Sequence, residues 1–354
     1  MTQPWYATRE HVMRALDSKP AARNAAQIDR AVASASRDID ALCHRTFAPQ
    51  LETRYFDWPN RQSAPSWRLW LDSNDLISVT SLDSGGTAVD SGDYFLRRAD
   101  DRNEPPFTCV EINLGGSAAF SSGSTHQRAI GITGLWGYAN TESPAGTLSG
   151  SLTANATSAA VTGQAAAALG AGSVIRVGSE RMRVTGRTMT DTGQTLATDI
   201  DKQVATALVP VADASGYAVD ETILIDAERM LIVDIAGSNL IVKRAWDGTA
   251  NATHSTGAVI YGLRSLTVAR GELGTTAAAH SSADAVNRWD PPGLVQDLAI
   301  AEAISRLTSE TAGYTRALRS GEGSSERNRD QNALKSLRES VYVAHGRKAR
   351  IRAV

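Results

Sequence analysis

Val174-Ile175-Arg176-Val177-Gly178-Ser179-Glu180-Arg181-Met182-Arg183-Val184 returns, with the same Glu-Arg-Met, as Thr222-Ile223-Leu224-Ile225-Asp226-Ala227-Glu228-Arg229-Met230-Leu231-Ile232. In each copy two short runs rich in β-branched residues flank a polar turn, so each reads as a β-hairpin. A second repetition follows. Arg244-Ala-Trp-Asp-Gly-Thr-Ala-Asn-Ala-Thr-His254-Ser255 parallels Arg270-Gly-Glu-Leu-Gly-Thr-Thr-Ala-Ala-Ala-His280-Ser281, each after a strand, Leu240–Lys243 and Leu266–Ala269. From about Gly146 to Ser282 the chain is rich in Ala, Gly, Ser and Thr with frequent turns, which predicts an all-β module of sandwich or barrel type.

Working outward, the segment before this module also has strand texture. Thr53–Asp57, Trp67–Leu71, Leu76–Leu82, Tyr94–Arg97, Thr108–Leu114 and Arg128–Leu135 are short, aromatic or β-branched, and separated by turns such as Asp83-Ser84-Gly85-Gly86, which predicts an antiparallel β region. Four of the seven tryptophans, Trp58, Trp67, Trp70 and Trp136, fall here and are expected in sheet packing. Both ends of the chain have helical periods. Thr8 is placed to cap a helix over Arg9–Asp17, and Ile28, Val32, Ala35, Ile39 and Leu42 make the apolar stripe of a longer one. Beyond Pro291-Pro292, Leu294, Leu298, Ala301, Ile304 and Leu307 form a third stripe, and Leu334, Leu337 and Val341 a fourth. Ser320–Arg329 between them reads as a flexible polar linker.

At 354 residues the chain has room for two or three folding units. Thirty-six Lys plus Arg against 38 Asp plus Glu give a net charge of -2, which argues against a free-standing nucleic-acid binder. Two cysteines, Cys43 and Cys109, make neither a disulfide framework nor a four-cysteine zinc site and fit a reducing setting as buried small hydrophobes. The charged stretch Met1–Leu16 does not read as a signal peptide, and no apolar run is long enough for a membrane helix, so a soluble, non-membrane protein is expected. The final ten residues carry Arg347, Lys348, Arg350 and Arg352 and no acid, a local basic tail.

Catalytic constellations are not evident. There is no His-Glu-x-x-His, Gly-x-Ser-x-Gly or P-loop. Gly170-Ala171-Gly172 opens like a dinucleotide loop but lacks the third glycine and leads into a β-branched run. His254 and His280 share a repeat position and invite a metal reading, yet no carboxylate recurs beside them in that repeat, and a local hydrogen-bonding role is expected. Cys43-His44 points around a helix in divergent directions, and Asp38 with Asp40 reads as a solvated face. The expectation is therefore no catalytic residue, cofactor or metal.

Tyr6–Asp17, Ala26–Asp40 and Arg45-Thr-Phe-Ala-Pro49 resemble the opening of the head-to-tail connector (adaptor) proteins of long-tailed bacteriophages. Thr53-Arg-Tyr-Phe-Asp-Trp-Pro-Asn60, Ile130-Gly-Ile-Thr-Gly-Leu-Trp-Gly-Tyr138 and Pro291–Ala301 continue the likeness, which covers about residues 5–140 and 288–345. In that family the aromatic-Gly-Tyr strand leads almost directly into the proline-initiated helix, so the intervening residues read as an insertion whose ends, Tyr138 and Pro291, lie close together. The resemblance implies an α+β fold: a helical connector core with an antiparallel β region (1–145), an inserted all-β domain (146–288), and C-terminal helices with the basic tail (289–354). It also implies a virion structural protein at the neck, assembled in the host cytoplasm as a homo-oligomeric ring, commonly of twelve subunits. Such a ring joins the portal protein to a tail-side neck or terminator protein and passes double-stranded DNA without reading its sequence. Arg30 and Arg37 are then candidates for the ring interface, and Arg347, Lys348, Arg350 and Arg352 for portal or neck contact. A carbohydrate- or surface-binding module built around Trp246 is the alternative.

Overall fold

The computed structural model describes residues 3–16, 25–59, 66–98, 100, 102–203, 207–311 and 323–347. Among the described residues strand outweighs helix, with one ten-stranded sheet and two smaller ones. This corrects the expected helical connector core: the protein is mostly β. Its five helices are α1 (Arg9–Leu16), α2 (Ala25–Cys43), α3 (Gly163–Ala168), α4 (Gly293–Thr311) and α5 (Gly323–His345) among the described residues. The long helices were legible because a 3.6-residue period persists over several turns, whereas strands of three or four residues leave a faint pattern each and together hold the core. The helix α5 also replaces the expected linker from Gly323 onward; Ser320, Gly321 and Glu322 lie outside the described residues.

The chain divides into two compact units, each discontinuous in sequence. The first gathers Arg37–Thr141, Pro291–Val295 and Glu322–Val354. Its strands are β1 (Gln50–Phe56), β2 (Arg68–Trp70), β3 (Leu76–Ser84), β4 (Thr87–Val89), β5 (Tyr94–Arg97), β6 (Cys109–Ile112) and β7 (Ile130–Trp136). They form antiparallel sheets in the orders β1-β7-β3-β4 and β2-β6-β5. Phe56, Leu69, Leu76, Val110, Ile132 and Trp136 belong to the core of this unit, with Trp58 and Trp67 packed against it. Three of the four tryptophans serve packing as expected, and Trp136 is buried, its Nε1 donating to the Glu52 carbonyl at 3.1 Å with Arg54 over its ring. Gly137 ends β7 at φ +138, and a Cβ there would stand 2.4 Å from the Ala48 carbonyl oxygen, so the chain turns where only glycine fits.

The second unit gathers Met1–Ser36, Glu142–Asp290 and Gln296–Gly321. Its strands are β8 (Glu142–Thr147), β9 (Ser158–Ala160), β10 (Val174–Val177), β11 (Glu180–Thr195), β12 (Leu208–Pro210), β13 (Thr222–Ile225), β14 (Glu228–Ala236), β15 (Asn239–Trp246), β16 (Val259–Ala269) and β17 (Ala285–Trp289). The sheet runs β12-β15-β14-β13-β16-β11-β10-β17-β8, with β9 on β16. Its first and last strands in sequence pair, Glu142 opposite Trp289, so the segment begins and ends at one place.

Residues 1–36 belong with this β-rich unit, not with residues 37–145 as expected. The reason is specific contacts. Glu10 accepts from the Ala171 N–H at 2.8 Å and pairs with Arg187 at 3.0 Å, while Tyr6 is buried with its ring 6.1 Å from that of Trp289. Thr8 caps α1 as expected, its Oγ1 accepting from the His11 N–H, and the His11 Nδ1 reciprocates by accepting from the Thr8 N–H. Asp17, the expected end of α1, lies outside the described residues. In α2 the stripe is buried at Ile28, Val32, Ala35 and Ile39, and Cys43 takes the buried place expected for Leu42, which is half-buried.

Candidate functional site

The two repetitions read separately in the sequence meet in space. In the β10–β11 hairpin Glu180 is fully buried, and its carboxylate accepts five hydrogen bonds: from Arg270 Nε and Nη2 (2.8 and 2.7 Å), the Gly271 and Ala278 N–H groups (3.0 Å each) and His280 Nε2 (2.8 Å). In the β13–β14 hairpin Glu228 does the same, atom for atom, with Arg244 Nε and Nη2 (2.8 and 2.6 Å), the Ala245 and Ala252 N–H groups (2.9 Å each) and His254 Nε2 (2.9 Å). The loop between arginine and histidine is pinned once more. Thr275 Oγ1 accepts from the Arg181 N–H and donates to the Glu272 carbonyl, as Thr249 Oγ1 does with Arg229 and Trp246.

These carboxylates explain the histidines. No carboxylate shares the histidines' own repeat, but their partner is the glutamate of the Glu-Arg-Met hairpin, 26 residues from His254 and 100 from His280, rather than the local backbone expected. The equal spacing of ten residues from Arg244 to His254 and from Arg270 to His280, together with the repeated glutamate, was the available signal. A second carboxylate differs between the copies. Asp226 Oδ2 stands 2.7 Å from His254 Nδ1, whereas Asp284 Oδ2 is 4.0 Å from His280 Nδ1.

Burial by itself would push the two glutamate carboxyls up, but the hydrogen bonds, led in each by arginine, outweigh it and hold both down to about 2. A carboxylate with five donors and so low a proton affinity is no general base. Arg244 and Glu228 have side-chain exposures of 1% and 0%, so no reactive atom faces a substrate. The arrangement closes a loop onto a hairpin. No group of three His, Cys, Asp or Glu is arranged as metal ligands among the described residues.

Other expected candidates are placed as follows. The Gly170-Ala171-Gly172 loop does hold an anion, the Glu10 carboxylate, on the Ala171 N–H. Cys43 is buried and its thiol is pushed up to about 11 by burial, and His44 is exposed. Asp40 pairs with Arg37 at 2.9 Å, and Asp38 is exposed. Arg30 is 66% exposed and pairs with Glu310 at 2.8 Å. The ring of Trp246 has the Lys243 ammonium 5.1 Å from its centre.

Of the basic tail, Arg347 is a built-in part of the first unit. Its guanidinium pairs with Asp75, which is only 4% exposed, at 2.7 Å, and donates to the carbonyls of His44 and Asp72, while its N–H donates to the Cys43 carbonyl at 2.9 Å. Arg45 is the second partner of Asp75, at 3.6 Å, and lies over the Tyr138 ring. His345 meets the Tyr138 hydroxyl at 3.1 Å and stands edge-on to Phe47. Burial pushes the Asp75 carboxyl up, against the pull of Arg45 and Arg347. Lys348, Arg350 and Arg352 lie outside the described residues. Comparison with protein-family models, curated proteins and solved structures finds no match to this chain.

Proposed function

We propose that this chain is a structural virion protein of a tailed bacteriophage, forming a ring between portal and tail through which DNA passes. The reading rests on the sequence resemblance and no longer on a helical core. The observation that carries it is that three of the resembling segments, Arg45–Pro49, Thr53–Asn60 and Ile130–Tyr138, meet within the first unit. Thr53–Phe56 of one pairs residue for residue with Ile130–Thr133 of another, and Phe47 packs on Tyr138 with ring centres 5.2 Å apart. The conspicuous buried ionic groups, Glu180, Glu228 and Asp75, bind parts of the chain to each other, as a scaffold requires.

In this proposal the ring is a homo-oligomer, commonly of twelve subunits, with the portal protein and a tail-side neck protein as its other partners. Arg30, the more exposed of the two candidate arginines, is the ring contact to test first. Portal contact falls to Lys348, Arg350 and Arg352, because the charge of Arg347 is taken up by Asp75. The carbohydrate-binding alternative has no such support, since Lys243 covers a face of Trp246. Sedimentation and negative-stain imaging of the purified chain, alone and with portal-bearing heads, test the proposal. Closed rings, or ring density on the portal, are expected; a monomer that leaves portal vertices bare would overturn it.

A further inference from the structure

The two closures belong to two complete copies of one module. The bulged pairing Val184↔Val268, Gly186↔Thr267, Arg187↔Leu266, Thr188↔Ser265 recurs as Ile232↔Val242, Asp234↔Ile241, Ile235↔Leu240, Ala236↔Asn239, with the extra residue at the same place. Ile175↔Arg288, Arg176↔Asn287 and Val177↔Val286 recur as Ile223↔Gly262, Leu224↔Tyr261 and Ile225↔Ile260. The bridges Leu148↔Val161 and Leu152↔His280 recur as Leu196↔Val211 and Ile200↔His254. Even the left-handed residues match: Gly271, Leu273 and Gly274 in one loop, Ala245, Asp247 and Gly248 in the other.

The copies are nested. Where one copy turns from β14 to β15 through Gly237-Ser238, the other runs out along β11 and returns along β16, with residues 189–264 in the place of those two turn residues. The backbone agrees at the junction, since the Val161 N–H donates to the Arg264 carbonyl as the Val211 N–H donates to that of Ser238, both at 2.9 Å. Each copy has its own core. Leu148, Leu152, Ile175, Met182, Val184 and Val286 fill the outer one, and Leu196, Ile200, Ile223, Met230, Ile232 and Ile260 the inner.

We infer that residues 191–262 are a self-contained module carried in the hairpin turn of an outer copy, and that each opens and closes by its own buried glutamate closure. The inner copy is thus a conformational unit that the protein can loosen without disturbing the outer one. Separate cores and separate closures are the physical ground, because cooperative units follow shared burial.

Native-state hydrogen exchange on the full chain tests this. Glu228→Gln should speed exchange across residues 191–262 by about a hundredfold or more, as expected for a buried ion pair deprived of one partner, and leave 174–184 and 266–288 protected. Glu180→Gln should do the reverse. A third variant replaces residues 189–264 by Gly-Ser and should fold, with the outer strands protected as in the full chain. Equal acceleration of both copies by either substitution, or an excision variant that does not fold, would overturn the inference.

Discussion

Removing Arg347 should unsettle the first unit, although only seven residues follow it in the sequence. A chain ending at Gly346 loses the 2.7 Å pair with Asp75, the guanidinium bonds to two carbonyls, and the N–H bond to Cys43. Asp75 stays buried with Arg45 as its remaining ion-pair partner at 3.6 Å. Depriving a fully buried pair of one member costs about 3–5 kcal/mol; with Arg45 retained and Arg347 one-fifth exposed, about 2–3 kcal/mol is expected here. A chain ending at Arg347 should match the full-length protein to within about 0.5 kcal/mol, since it keeps every one of these contacts. Urea unfolding of the three lengths, followed by tryptophan fluorescence, measures the differences. Asp75→Asn in the shorter chain should recover part of the loss by removing the stranded charge. The same reasoning fixes a pH dependence. Asp75 has its carboxyl raised in the folded state, so protonation favours folding, and the gap between the two lengths should narrow as the solution is acidified toward that raised value. Equal stability of the chains ending at 346 and 347, or no recovery with Asn, would refute the reasoning.

Glu180→Gln and Glu228→Gln should each cost about 3–5 kcal/mol in urea unfolding, because each leaves a buried arginine without its carboxylate. Both carboxyls are held at about 2 when folded against 4.5 when unfolded, so their stabilisation is complete above about pH 4.5 and is lost as pH falls toward 2; an acid titration of the two variants should be flatter than that of the parent. Ala245 holds φ +51 where its counterpart is Gly271, so Ala245→Gly should stabilise the inner copy by about 1 kcal/mol, seen as a raised urea midpoint. Ile39→Ala, at a fully buried position of α2, should cost about 2–4 kcal/mol by the same assay.

What the sequence disclosed was local. The stripe from Ile28 to Ile39, the cap at Thr8, the strand Tyr94–Arg97 and the two Glu-Arg-Met hairpins were legible because neighbours along the chain determine them. The balance between helix and strand was not, since strands such as β4 and β9 have three residues each and owe their existence to partners far away. Nor was the link between Glu180 and His280, which lie 100 residues apart, or the grip of Asp75 on a residue of the basic tail. Charge runs look solvated in a sequence, and a buried acid elsewhere is what changes that reading for Arg347.

The nesting of the modules also orders their assembly. In the inner copy Glu228 finds Arg244 and His254 16 and 26 residues away, while in the outer copy Glu180 must reach across 90 and 100 residues to Arg270 and His280. Loop-closure entropy rises with the logarithm of that separation, a difference of about 1.2–1.5 kcal/mol between the copies at otherwise equal contacts. The inner copy is therefore expected to close first. Once formed, it holds the start of β16 beside the end of β11, so the outer strands meet as if joined by a tight turn. A late-synthesised half of the outer module thus waits for a partner that the inner module brings to it.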